Sequence, residues 1–159
     1  MVKKCDFFND QEKADRIKSF LREHGDKLPE EVIEQAVEGD SLSNWSLMCD
    51  DNNEIASGVT YKENDWFLCT LKNLATRPDM RRQGLAKMVT EDVIEKAKQN
   101  PSCLVLASDI TFDNEGSKKT IEKFGFKEVS RFCWAKGEKP ADILHYVRFP
   151  PDGTECKEP

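Results

Sequence analysis

Residues 74–88 read Leu74-Ala-Thr-Arg-Pro-Asp-Met-Arg-Arg-Gln-Gly-Leu-Ala-Lys-Met88. The pattern predicts a strand ending near Thr76, a turn carrying Pro78-Asp79, and a basic loop opening directly into a long amphipathic helix. Such a junction suits a diphosphate. The first N–H groups of a helix have no intrahelical partners, and the aligned peptide dipoles put partial positive charge there. Gly84 lets the backbone approach phosphate oxygens without a Cβ in the way. Ala86 keeps the next approach small, and Arg81, Arg82 and Lys87 supply charge. Alone, Arg-Arg-Gln-Gly reads more readily as a plain helix start behind a solvated basic loop, because short glycine motifs are weak signals.

The flanking sequence gives this junction its setting. Downstream, Ala86, Val89, Val93 and Ala97 recur at helical spacing over 84–98, with Leu85, Met88 and Ile94 beside them, until Asn100-Pro101 ends the helix. Cys103-Leu-Val-Leu-Ala107 is a continuous apolar run, as expected of a strand covered on both faces. A short helix over 115–124 closes at Gly125, and strands follow at 126–135 and 142–149. Upstream, 2–8 reads as a first strand, and Asn9 or Asp10 caps a helix over 10–24 that Gly25 stops, with His24 serving its C-terminus. Pro29 opens a second helix, with Val32, Ile33, Ala36 and Val37 as its buried stripe and Gly39 as its end. Residues 44–50 alternate with Trp45, Leu47 and Cys49 on one face. Asp51-Asn52-Asn53 turns the chain into 54–62, and Asn64-Asp65 turns it into the long strand 66–76. The order is β-α-α-β-β-β-α-β-α-β-β.

Length and composition set the class. A chain of 159 residues with 38% hydrophobic and 34% charged residues fits one globular domain, here 1–149, followed by a loose polar tail over 150–159. The net charge of −6 argues against binding nucleic acid, which needs a basic footprint. No apolar run approaches the ~20 residues that cross a bilayer, and the N-terminus carries no secretory pattern, so a cytoplasmic protein without a membrane is expected. Of the six cysteines, Cys49, Cys69, Cys103 and Cys133 fall within apolar strand-like runs. None forms a Cys-x-x-Cys pair, so reduced, buried thiols are expected. No His/Cys spacing points to a metal.

A second segment resolves the ambiguity of the first. It runs from Asp109-Ile-Thr-Phe-Asp-Asn114 through Ser117-Lys118-Lys119 to Phe124-Gly125-Phe126. Arg81-x-x-Gly84-x-Ala86 followed by Asn114, a short helix and Phe124-Gly125-Phe126 resembles the GNAT acetyltransferase superfamily, in its acyl-CoA signature and its downstream motif alike. The resemblance covers nearly the whole chain, with 66–134 its specific part. It implies an α/β (α+β) fold with a mixed, mostly antiparallel sheet splayed at its centre and helices on both faces. It implies a co-substrate, acetyl-CoA, and an amine acceptor, small molecule or peptide, in a monomer or homodimer. The strand at 68–76 would be bulged, with the pantetheine arm pairing along Leu74, Ala75 and Thr76. The pyrophosphate would rest on the amides of Arg82, Gln83, Gly84, Leu85, Ala86 and Lys87, beside Arg81. Asn114 would contact the arm, Lys118 or Lys123 would approach the phosphates, and a backbone amide near Leu74 would polarise the thioester carbonyl.

The catalytic groups are less plainly written. The helix position at which many relatives carry a proton-donating tyrosine is Ile121. The long strand 66–76 carries no carboxylate to act as base. Asp109 is the remaining candidate, with a loop or cap carboxylate as its plain alternative. Tyr61 and Tyr146 lie on other strands, and His145 has no paired motif. Trp45, Trp66 and Trp134 read as core residues, the last two alternatively as pocket linings. Asp26, Glu30 and Glu31 border the loop that faces the acceptor in this family. Asp113 reads as a turn residue. An acyl-CoA-binding module of the same fold without efficient catalysis is the competing reading, favoured by Ile121.

Overall fold

The computed structural model describes residues 1–25, 27–64, 67–111, 114–133 and 142–148. Asp26, Trp66, Asp113, Trp134 and the 150–159 tail, together with the side chains of Cys133, His145 and Tyr146, lie outside the described residues. The chain falls into two compact units, Met1–Lys62 with Lys72–Lys96, and Glu63–Leu71 with the chain from Ala97 on.

The first unit begins with β1 (Lys3–Lys4), shorter than the strand expected over 2–8, and α1 (Asp10–His24). Asn9 is the N-cap, its side chain accepting from the Glu12 amide at 2.9 Å, and Gly25 closes the helix through its N–H to the Leu21 carbonyl. α2 (Glu30–Gln35) ends earlier than the apolar stripe suggests. Gly39, at φ +52, turns the chain into an additional helix, α3 (Asp40–Ser43), that the sequence pattern did not announce. Four residues are too few to show a period. β2 (Ser46–Cys49) pairs antiparallel with β3 (Ile55–Glu63), and β3 neighbours β4 (Leu68–Thr76). Ile17, Phe20, Leu21, Ile33 and Ala36 of the helices pack on Trp45, Leu47, Cys49 and Ile55, with Ala75 of β4 at the margin. Trp45 keeps its indole N–H satisfied deep in this cluster by donating to the Ala36 carbonyl at 2.8 Å. Gly58 is required here. A Cβ would stand 2.6 Å from Leu47 and 3.1 Å from the Trp45 ring, so the absent side chain makes room for the indole.

One expectation is overturned. Cys5 and Cys49 are joined as a disulfide with Cα atoms 5.0 Å apart, bridging 44 positions of sequence. Cys5 lies on a short charged segment whose strand partner the sequence does not name, so its approach to Cys49 was not visible until β1 paired with β2, placing Lys4 opposite Met48 and Lys3 opposite Cys49. The bridge staples the N-terminal segment to the core, where Cys5 and Phe7 pack against it. Closing a loop of this length in the unfolded chain gives about 4 kcal/mol on the chain-entropy argument. Reduction, or Cys49→Ser, is therefore expected to lower unfolding free energy by about that amount, measured as denaturant midpoints with and without a phosphine reductant. Identical midpoints would remove the bridge as a stabilising element. Cys69 and Cys103 are free and buried, as expected.

α4 (Leu85–Gln99) buries Leu85, Val89, Val93, Ile94 and Ala97, while Met88 is exposed, contrary to its expected place beside the stripe. In the second unit β5 (Val105–Thr111) pairs parallel with the first half of β4, from Leu68 opposite Val105 to Leu71 opposite Ser108. It also pairs antiparallel with β7 (Asp142–Arg148), which pairs antiparallel with β6 (Lys127–Cys133). The order within this unit is β4-β5-β7-β6. β5 starts two residues later than the apolar run, and Leu104 is exposed. α5 (Glu115–Glu122) is capped by the Asn114 side chain, which accepts from the Ser117 amide at 3.2 Å. Gly125, at φ +85, makes the turn into β6. Among the described residues no helix is long and apolar enough to cross a membrane.

Candidate active site

The junction quoted first folds as its residue types demand. β4 ends at Thr76, Pro78–Met80 makes a single 3-10 turn, and α4 starts at Leu85. Between them Arg82 takes φ +63 and Gly84 φ +75. Two left-handed residues flanking Gln83 turn the backbone sharply before the helix. The first helical bond runs from the Met88 amide to the Gly84 carbonyl at 3.0 Å, so the amides of Gly84, Leu85, Ala86 and Lys87 precede any intrahelical acceptor. Arg81, Arg82, Gln83, Gly84 and Lys87 are exposed, whereas Leu85 is buried and anchors the turn. An added Cβ on Gly84 would meet nothing within 4 Å. The junction thus offers open space, free-facing amides and cations, which is what a diphosphate requires.

The charges around it sort into two kinds. Among the described residues no carboxylate pairs with Arg81, Arg82 or Lys87, and Arg81 only reaches the Thr76 carbonyl, at 3.4 Å. Arg77, which the sequence reading passed over, is held on both sides. Its Nη2 donates to Asp50 at 2.9 Å, and its Nε and Nη2 donate to the two oxygens of Asp79 at 2.7 and 3.1 Å. Hydrogen bonds from the Arg77 guanidinium hold the Asp79 carboxyl below the ordinary carboxylate range. Asp50 is lowered first by the Glu54 amide and then by Arg77. Arg77 itself is raised by Asp79 and then by Asp50. The spacing Arg-Pro-Asp was the available signal, since a proline between them holds the chain in a turn that lets the two side chains meet.

Along β4 the strand changes character midway. Its ladder with β5 ends at Leu71 and Ser108. Two residues on, Asn73 takes φ +61, a left-handed conformation that interrupts an extended strand as bulge residues do. Leu74, Ala75 and Thr76 follow, half-buried. Thr76 and Ala75 are fixed from the β3 side, where Ser57 Oγ lies 2.8 Å from Thr76 Oγ1 and donates to the Ala75 carbonyl at 3.1 Å.

Of the remaining sequence-predicted residues, Asp109, Asn114, Lys118, Ile121 and Lys123 belong to the second unit. Asp109 lies inside β5 rather than at its end. It is the first residue past the last rung shared with β4, and it is exposed between buried Ser108 and Ile110. Its cross-strand register partner is His145. Asn114 uses its side-chain oxygen to cap α5. Lys123 is exposed and Lys118 half-buried. Ile121 is 2% exposed and belongs to the core under α5. A proton donor is absent there because the position is a packing position in this chain. Tyr61 is buried in β3. Glu30 of α2 pairs with Arg22 of α1, its Oε1 3.1 Å from Arg22 Nε, so it is engaged within the helical pair. Among the described residues no cluster of His, Cys, Asp and Glu could hold a metal.

Comparison with known proteins agrees with this geometry. The model of the acetyltransferase (GNAT) family matches residues 8–126. An uncharacterized N-acetyltransferase of Bacillus subtilis, YsnE, is 28% identical over 111 residues, covering 69% of this chain and 72% of that one. Among solved structures, an acetyltransferase of the GNAT family from Desulfovibrio desulfuricans superposes with a TM-score of 0.72 at 13% identity, covering 94% of this chain and 99% of its own. The acetyltransferase YncA of Salmonella typhimurium, solved with acetyl-CoA, superposes with a TM-score of 0.68 at 12% identity, covering 100% and 96%. With the signature at Arg81–Ala86 falling inside the matched span, this chain belongs to the acetyltransferase (GNAT) family and transfers an acetyl group from acetyl-CoA to an amine.

Proposed function

We propose that the acetyl-CoA diphosphate is held by the amides of Arg82 through Lys87 with Arg81 beside it, and that the arm lies along Leu74, Ala75 and Thr76. The observation that carries this reading is the pair of left-handed residues, Arg82 and Gly84, that turn an exposed, cationic backbone into the start of α4. The Leu74 amide is the oxyanion donor, and it follows directly on the left-handed Asn73, which re-aims the strand at that point. Asn114 and Lys118 or Lys123, which belong to the second unit, are the further residues proposed to touch the donor.

In this reading the acceptor is a primary amine, small molecule or peptide, whose nitrogen attacks the thioester carbonyl directly. Asp109 takes the amine proton. The departing sulfur needs no side-chain acid, since a thiol pKa of ~8.5 makes the thiolate an acceptable leaving group near neutral pH. Both units form one domain over 1–149, supported by a single family match that begins in one and ends in the other. A cytoplasmic location is supported by Cys69 and Cys103, which are buried free thiols. The Cys5–Cys49 bridge stands against it. The test is release of free thiol from acetyl-CoA in the presence of a panel of primary amines. Release with at least one amine, and none with its N-acetylated form, is the expected result. Acetyl-CoA binding without release for any amine would leave a binding module in place of an enzyme.

A further inference from the structure

The Arg77 clamp has no assigned role, and its geometry is specific. Asp50 sits in the turn between β2 and β3. One of its oxygens accepts the amides of Asn52 and Glu54 at 2.9 and 3.0 Å, and the other accepts Arg77 at 2.9 Å. That carboxylate is therefore fixed before Arg77 reaches it. The Arg77 backbone is fixed as well, its amide donating to the Ala56 carbonyl at 2.8 Å. From this anchored position the guanidinium grips both oxygens of Asp79, the middle residue of the 3-10 turn Pro78–Met80. The Met80 and Arg81 amides bond back to the Arg77 and Pro78 carbonyls at 2.9 and 3.4 Å, and Arg81, Arg82 and Gly84 follow at once. The order of fixation thus runs from the β2–β3 turn, through one guanidinium, to the turn that delivers the left-handed loop.

We propose that Arg77 is a positioning residue for acetyl-CoA: bridging Asp50 and Asp79, it sets where the Arg81–Lys87 amides stand and so determines donor affinity without touching the donor. This rests on the diphosphate site proposed above. The two side chains are suited to the task. A guanidinium offers a planar fork that can satisfy two carboxylates in fixed directions, which an ammonium cannot. Arg77 and Asp50 are largely shielded, at 20% and 17% side-chain exposure, while Asp79 is 64% exposed. Breaking the Asp79 arm should therefore matter little to overall stability, because exposed pairs contribute little, and matter to the loop it orients.

Asp79→Asn makes the test decisive, because two effects have opposite sign. Removing a negative charge two residues before Arg81 favours an anionic ligand by simple electrostatics. Loss of the grip disfavours it by misplacing the amides. The clamp predicts that Asp79→Asn raises the acetyl-CoA Kd and KM about tenfold, misplacement by about 1 Å being enough for that. The KM for the amine, kcat at saturating acetyl-CoA and the thermal midpoint should stay near wild type. Arg77→Lys should weaken acetyl-CoA binding alongside Asp79→Asn, since the charge remains but the fork is lost. Calorimetric titration of the full chain with acetyl-CoA reads all three proteins, with Gly84→Glu as a control. If wild type binds, Gly84→Glu does not, and Asp79→Asn binds as tightly as wild type or more so, the clamp is overturned while the diphosphate site stands. If wild type itself fails to bind, or Gly84→Glu binds like wild type, the diphosphate site is overturned and the clamp's role with it.

Discussion

Gly84→Glu is expected to abolish acetyl-CoA binding while the fold survives. Gly84 holds φ +75, and an added Cβ would meet nothing within 4 Å. The substitution therefore meets no protein atom at the Cβ. It costs the left-handed conformation, about 1–2 kcal/mol for an L-residue, and it places a carboxylate at the mouth of the amide cluster. Two like charges about 4 Å apart near a protein surface repel by about 4 kcal/mol, on the order of 1,000-fold in affinity. Gly84→Ala separates the two contributions, since it carries the same backbone strain without the charge. The Glu variant should show no heat of binding in calorimetry at donor concentrations that saturate wild type, with its thermal transition still cooperative. The Ala variant should retain measurable binding. Equal affinity of wild type and Gly84→Glu would move the diphosphate elsewhere on the chain.

That this position can be named at all reflects what a sequence encodes locally. The loop's function depends on conformations only certain residues adopt and on an amphipathic helix whose period is visible in Val89, Val93 and Ala97, all buried. Those are short-range properties, so the junction, α1, β3, β4 and α4 were legible. What was not legible depends on partners distant in the chain. Arg77 reads as one more cation in a basic loop until Asp50, 27 positions away, is seen to hold it. Cys5 reads as one more reduced thiol until strand pairing brings it to Cys49. Asn73 carries no mark of its own, because Asn is common in turns and is here left-handed inside a strand. Asp109 was visible as a carboxylate but not as the exposed residue just past the last β4–β5 rung, which is a fact of register.

Asp109→Asn is expected to lower kcat/KM by about 100-fold or more, the range general base catalysis contributes, with acetyl-CoA affinity unchanged. β4 holds no carboxylate, Ile121 is a core side chain, and Tyr61 is buried in β3. Asp109 is exposed between two buried neighbours at the point where β5 leaves its ladder with β4. Asn preserves shape and hydrogen bonding but cannot accept the proton of an ammonium acceptor. The variant must then rely on amine already deprotonated in solution. Its kcat/KM should climb about tenfold per pH unit toward the amine's own pKa of ~10, so the deficit relative to wild type narrows as pH rises. The pairing of a rate deficit with an unchanged donor affinity distinguishes proton transfer from a disturbed β5, which would weaken donor binding as well. A variant that matches wild type at every pH would show that the amine loses its proton to water, and that the exposure of Asp109 at the end of the ladder has no catalytic meaning.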